Sequence, residues 1–197
     1  MSQKLVLSKI VILLLMTFKL NAFEKNAEQL IQFTTNRAKE IILDDNIKIN
    51  EKKEKIEKMA LDVVDVDGLG RFTLGAFRKD LNDEQLKEYT KVFRIFFAKN
   101  ISSRLRNYSD QNIEVVSSKK ISDNYVMVKS KMISKADNQK IQIDWRVFKI
   151  KEKLVIRDLV VEGLSLAKTQ REEFNSILSS KGYDGLIISL KDFISKN

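Results

Sequence analysis

The chain has no cysteine, no histidine and no proline. Without thiols it can build no disulfide framework, no zinc–thiolate site and no cysteine nucleophile, and it offers no cysteine for lipid attachment behind a leader. Without imidazole it has no Ser-His-Asp triad and no histidine acid–base chemistry near neutral pH. With no proline and only six glycines, its turns must rest on Gly, Asn and Asp. Asp67-Gly68-Leu69-Gly70 holds a GxG fragment, but the third glycine and the strand-to-helix setting of a phosphate loop are missing.

What is present begins with a leader. Lys4 and Lys9 precede the apolar run Ile10 to Met16, and Asn21-Ala22 ends in a small residue. This is the order of a secretory signal, and the run is short for a bilayer span. Cleavage before Phe23 is expected, leaving residues 23–197 as one domain; an uncleaved N-terminal anchor is the alternative. Removal of Lys4, Lys9 and Lys19 lowers the formal net charge from +9 to +6, with 33 basic against 27 acidic residues left. A basic surface suits nucleic acid or anionic lipid. Export speaks against nucleic acid, and a solvated basic face is the plainer reading.

Periodicity divides the remainder. Residues 24–43 carry Ala27, Leu30, Ile31, Ala38, Ile41 and Ile42 at helical spacing. Asn50 is expected to cap a second helix, and a short helix is expected from Asp67 to Gly75. Asn82 and Gln85 have the spacing of a capping box, with Leu81 and Leu86 as its hydrophobic staple. The helix that follows aligns Tyr89, Phe93, Phe96, Phe97, Ile101, Leu105 and Tyr108. Such a stripe serves as ordinary core or as the wall of an apolar cavity. From Ile113 the period becomes two, predicting four antiparallel strands over 113–117, 124–134, 140–151 and 153–162, with turns at Asp137-Asn138 and Lys151-Glu152. A helix over 164–180 should end at Gly182 with positive φ, before a last helix from Leu186. The fold class is α+β: a curved antiparallel sheet of about four strands against N- and C-terminal helices.

Asp144-Trp145-Arg146, Asp158 to Leu166 (DLVVEGLSL), Lys181 to Leu186 (KGYDGL) and Phe72 to Arg78 (FTLGAFR) together resemble the MlaC, or toluene-tolerance, family. Their order agrees with that family over most of the chain. Arg78 and Arg157 stand where the family pattern commonly carries aromatics, and Asn82-Asp83 replaces a common proline. The resemblance implies a periplasmic phospholipid shuttle with lipid tails held between sheet and helices. It implies as partners an inner-membrane ABC transporter with an MCE-type subunit and an outer-membrane lipoprotein complex, with the carrier itself a monomer.

On that resemblance, the candidate lipid-lining residues are Leu74 and Phe77 from the turn and Tyr89, Phe93, Phe96, Phe97 and Ile101 from the long helix. The strands add Val126, Val128, Trp145, Val147 and Val160. Leu164, Leu166, Phe174 and Leu178 complete the set. If Val147 lines a cavity, an added ring there should be tolerated. Exposing one acyl chain to water costs on the order of 10 kcal/mol, at about 0.8 kcal/mol per methylene. A carrier therefore needs a dry cavity, and needs no catalytic residue, metal, nucleotide or cofactor. Two other readings stay open: a non-enzymatic binding protein for a different apolar ligand, and a small isomerase on a similar curved-sheet fold. For catalysis, Asp158 and Glu162 lie four apart on one predicted strand, although Arg146 and Arg157 beside them make structural ion pairing the commoner outcome.

Overall fold

The period-two segments pair into one antiparallel sheet of order β1-β2-β3-β4-β5 in a computed structural model that describes residues 3–105, 111–134 and 139–197, with side chains from residue 22 and without that of Leu105. The strands are β1 (Asn112–Ser122), β2 (Tyr125–Ile133), β3 (Lys140–Ile150), β4 (Lys153–Val161) and β5 (Leu164–Ser165). The helices are α1 (Gln3–Leu43), α2 (Ile49–Val63), α3 (Val66–Thr73), α4 (Asp83–Leu105) and α5 (Leu166–Lys196), with a 3-10 turn at Gly75–Lys79. The expected α+β class is what the structure has. Tyr108 and the Asp137-Asn138 turn lie outside the described residues.

Three local expectations need correction. The sheet has five strands: β1 runs to Ser122, and the two-residue β5 pairs Ser165 with Val160 and Leu164 with Val161. Two residues carry too little pattern for a period to be read. Asn50 does not cap α2, which starts one residue earlier after Lys48 and has no side-chain cap. Residues 24–43 are the C-terminal half of the longer α1.

Other local chemistry matches its spacing. Asn82 Oδ1 accepts from the Gln85 N–H at 2.8 Å while Gln85 Oε1 accepts from the Asn82 N–H at 3.0 Å, the reciprocal capping box. Gly182 has φ 69° and ψ −171° inside α5, a conformation open essentially only to glycine, and it divides the helix into two segments. Gly70 lets α3 approach α4 closely, since a Cβ there would come within 2.9 Å of the Phe93 ring. Among the described residues, no helix is long and apolar enough to cross a membrane.

Two apolar cores result. In the first, Val66, Leu74, Tyr89, Phe93, Phe96, Phe174, Leu178 and Leu186 join α3, α4 and α5. In the second, Ala27 and Ile31 of α1 close over Val126, Val128, Ile143, Trp145, Val147 and Ile156 on one sheet face. A register shift between Arg146 and Val147, opposite Asp158 and Ile156, leaves Arg157 as the extra residue of a β-bulge. That bulge turns Arg157 and Asp158 toward the opposite sheet face.

Candidate functional site

The residues expected to line one cavity are distributed over both cores. Phe93 meets Phe174 edge-on at 6.2 Å and lies 6.4 Å from Phe97, and Phe96 meets Phe193 at 5.0 Å. Leu74, Tyr89 and Leu178 belong to the same helical core, with Phe77 packed against it, and Ile101 is half-buried further along α4. Trp145, Val147, Val126 and Val128 belong to the sheet core under α1. The Trp145 indole N–H donates to Ser130 Oγ at 2.8 Å, and that hydroxyl donates to the Ile143 carbonyl at 3.1 Å, so its polar edge is satisfied internally. Val160 is half-buried. Leu164 and Leu166 are 70% and 48% exposed, and Phe174 and Leu178 turn toward α4 rather than toward the sheet. Period marks the helical stripe and the alternating strands, but it does not say that they bury against different partners.

The concave feature that the sequence did not single out lies on the other sheet face. A cleft of about 360 Å³ opens between α3, the 3-10 turn, the start of α5 and strands β3 and β4. Leu69, Phe72, Phe148 and Ala167 supply its apolar lining. Phe148 stacks on Tyr125 with ring centroids 4.5 Å apart, and the Arg157 guanidinium lies over the Phe148 ring at 4.9 Å. Arg71, Arg78, Arg146, Arg157 and Lys168 line the same cleft with one carboxylate, Asp158. The cations come from five places along the chain, which is why no local pattern revealed them. Leu69 also packs against the helical core, so cleft and aromatic cluster share a wall.

The carboxylates around the cleft are structurally engaged. Asp158 Oδ2 accepts from Ser165 Oγ at 2.6 Å, its Oδ1 accepts from the Ala167 N–H at 3.0 Å, and Arg146 lies 3.4 Å away. It thus holds the first turn of α5, where a negative charge is favoured. Asp65 caps α3 by accepting from the Gly68 N–H at 3.1 Å and pairs with Arg157 at 2.7 Å. Glu162 lies past the end of β4, exposed, with φ 48°. The pair considered for acid–base work is therefore one buried helix cap and one exposed turn residue. Elsewhere, burial pushes the Tyr89 hydroxyl well above its ordinary value of 10.0, while its 2.8 Å hydrogen bond with Thr73 pulls the other way.

A curved five-stranded sheet with helices packed on it defines an α+β protein, and a cleft mixing apolar rings with cations opens on one face of that sheet. The sequence matches the profile of the family described as MlaC protein over residues 32–192. The chain belongs to the MlaC family. It is 25% identical over 139 residues to the intermembrane phospholipid transport system binding protein MlaC of Haemophilus influenzae, a match covering 69% of this chain. The chain spans about 65% of that relative's length. Its fold is similar to that of the phospholipid-binding protein from Ralstonia solanacearum, solved in complex with a phospholipid: the TM-score is 0.72 at 18% identity, covering 86% of this chain and 97% of that one.

Proposed function

We propose that this chain is a phospholipid-binding transport protein that carries lipid between the inner and outer membranes. The observation that carries the reading is the cleft itself: an apolar floor beneath a cationic mouth, in a chain of the MlaC family. The names of the Haemophilus influenzae and Ralstonia solanacearum proteins point the same way. Acyl tails would enter past Leu69 toward the aromatic core of α4 and α5, displacing aromatic contacts with methylene contacts. At about 360 Å³ the cleft is at the lower end of the range of roughly 300–1,000 Å³ common for small-molecule sites. Loading a two-chain lipid would therefore separate α3 and the start of α5 from the sheet.

In this reading the leader is removed near Phe23 and the mature protein works in the periplasm as a monomer. The part of α1 that remains carries Ala27 and Ile31, which close one face of the sheet. Lipid would be received and delivered through the partners that the family resemblance implies, an MCE-type ABC transporter at the inner membrane and a lipoprotein complex at the outer. Unloading needs a competing apolar site on such a partner, because release of a diacyl lipid into water is too costly. Native mass spectrometry of protein recovered from the periplasm tests the proposal. A bound species with the mass of a diacyl phospholipid is expected, on a chain beginning near Phe23. Ligand-free protein, or an apolar ligand of another class, would overturn it.

A further inference from the structure

The cations of the cleft are unequally matched. Arg146 is opposed by Asp158 and Arg157 by Asp65, and both carboxylates are also tied to helix starts. Arg71, Arg78 and Lys168 line the same mouth without a carboxylate within ion-pair distance among the described residues. Arg146 adds a buried Nε with no hydrogen-bond partner among them. The mouth thus holds three cations beyond what its own acids neutralise, above an apolar floor formed by Phe148 and Leu69.

We propose that this mouth is a headgroup site that selects phospholipids of net negative charge over zwitterionic ones. The inference rests on the lipid-carrier reading and adds to it the class of lipid carried. Arginine donates paired N–H groups that fit phosphate oxygens, and Lys168 contributes a point charge at the start of α5. In a zwitterionic headgroup an ammonium follows the phosphate closely, and three unmatched cations repel it. A headgroup such as glycerol carries no compensating cation, so the full phosphate charge faces Arg71, Arg78 and Lys168. All three are exposed, so the preference should weaken with added salt. The same phosphate chemistry is offered by free inorganic phosphate. The apolar floor argues for a phosphate attached to acyl chains.

The test loads delipidated full-length mature protein from vesicles of equimolar phosphatidylglycerol and phosphatidylethanolamine and counts the bound lipids by native mass spectrometry. Phosphatidylglycerol should be enriched on the order of tenfold, equivalent to about 1.4 kcal/mol. The double variant Arg71→Gln/Arg78→Gln should bring the ratio toward that of the vesicles through loss of phosphatidylglycerol, whereas Arg71→Lys/Arg78→Lys should retain enrichment. If the glutamine pair does not fold, Lys168→Gln alone should lower the ratio. Equal loading of the two lipids by the unaltered protein would overturn the headgroup site while leaving the carrier reading standing, and so would full enrichment in both Gln variants. No lipid uptake from any vesicle would instead overturn the carrier reading beneath it. Calorimetric binding of inorganic phosphate as tight as that of lipid would assign the cluster to the free ion and overturn the proposal.

Discussion

Arg157 Nε lies 2.7 Å from Asp65 Oδ2, a contact that fastens the bulge of β4 to the first turn of α3. The backbone repeats the link, since the Asp65 N–H donates to the Ile156 carbonyl at 3.0 Å. Because Asp65 is also the cap of α3, Asp65→Ala removes a cap and an ion pair together. A loss of about 2 kcal/mol is expected, most of it from the cap and the polar groups left without partners. Arg157→Gln, at a half-exposed position, should cost less than about 1 kcal/mol. Urea unfolding distinguishes the two. A change below about 0.5 kcal/mol for Asp65→Ala would mean that this side of the cleft does not depend on the cap.

Asp158→Asn tests the other helix start. Asp158 is buried, faces Arg146, and holds Ser165 and the Ala167 N–H. The amide can keep part of that geometry but not the charge, leaving Arg146 without its counterion. Destabilisation of about 2–4 kcal/mol is expected, read as a lower urea midpoint. A near-neutral outcome would reopen the view that Asp158 is kept for chemistry rather than for structure.

Val147→Trp separates two pictures of the sheet. If Val147 lined a cavity, the added ring would leave the melting temperature nearly unchanged. In the structure Val147 is 0% exposed beneath α1, with Ala27 and Ile31 in the same core. Overpacking should cost about 1–3 kcal/mol, a fall of roughly 2–12 °C for a chain of this size. An unchanged melting temperature would restore the cavity at that face.

Tyr89 gives a pH dependence with a definite sign. Burial raises its folded pKa above the ordinary 10.0. The stability it contributes is complete below pH about 10 and is lost as pH rises from there toward the folded pKa, because the unfolded chain ionises first. The slope should be about 1.4 kcal/mol per pH unit in that window. Tyr89→Phe should cost about 1 kcal/mol near neutral pH through the lost Thr73 bond and flatten the alkaline slope. An identical alkaline slope in the variant would place the titration elsewhere.

The legible parts of this fold are those written in adjacent residues. The Asn82/Gln85 box, the period-two strands and the helix break at Gly182 each depend on neighbours a few positions apart. Asn50 has the chemistry of a cap but is the second residue of α2, where its side chain faces solvent. Phe93 and Trp145 both stand among the expected lining residues, but their partners, Phe174 in one case and Ile31 in the other, are fixed by how α1 and α5 dock. The cleft was invisible for the same reason. Arg78 and Arg157 stood out as departures from the family pattern, yet only the bulge of β4 and the turn after α3 bring them to one mouth.

The central claim is that phospholipid occupies the Phe72–Phe148 side of the molecule. Photo-crosslinking tests it most directly, with a benzophenone amino acid placed singly at Phe72, at Phe148 or, as a control, at Phe33, which is 68% exposed on α1. After loading from phospholipid vesicles and illumination, adducts with the mass of an intact diacyl lipid are expected at positions 72 and 148 and not at 33. Adducts absent from both cleft positions, or equally frequent at Phe33, would contradict the account.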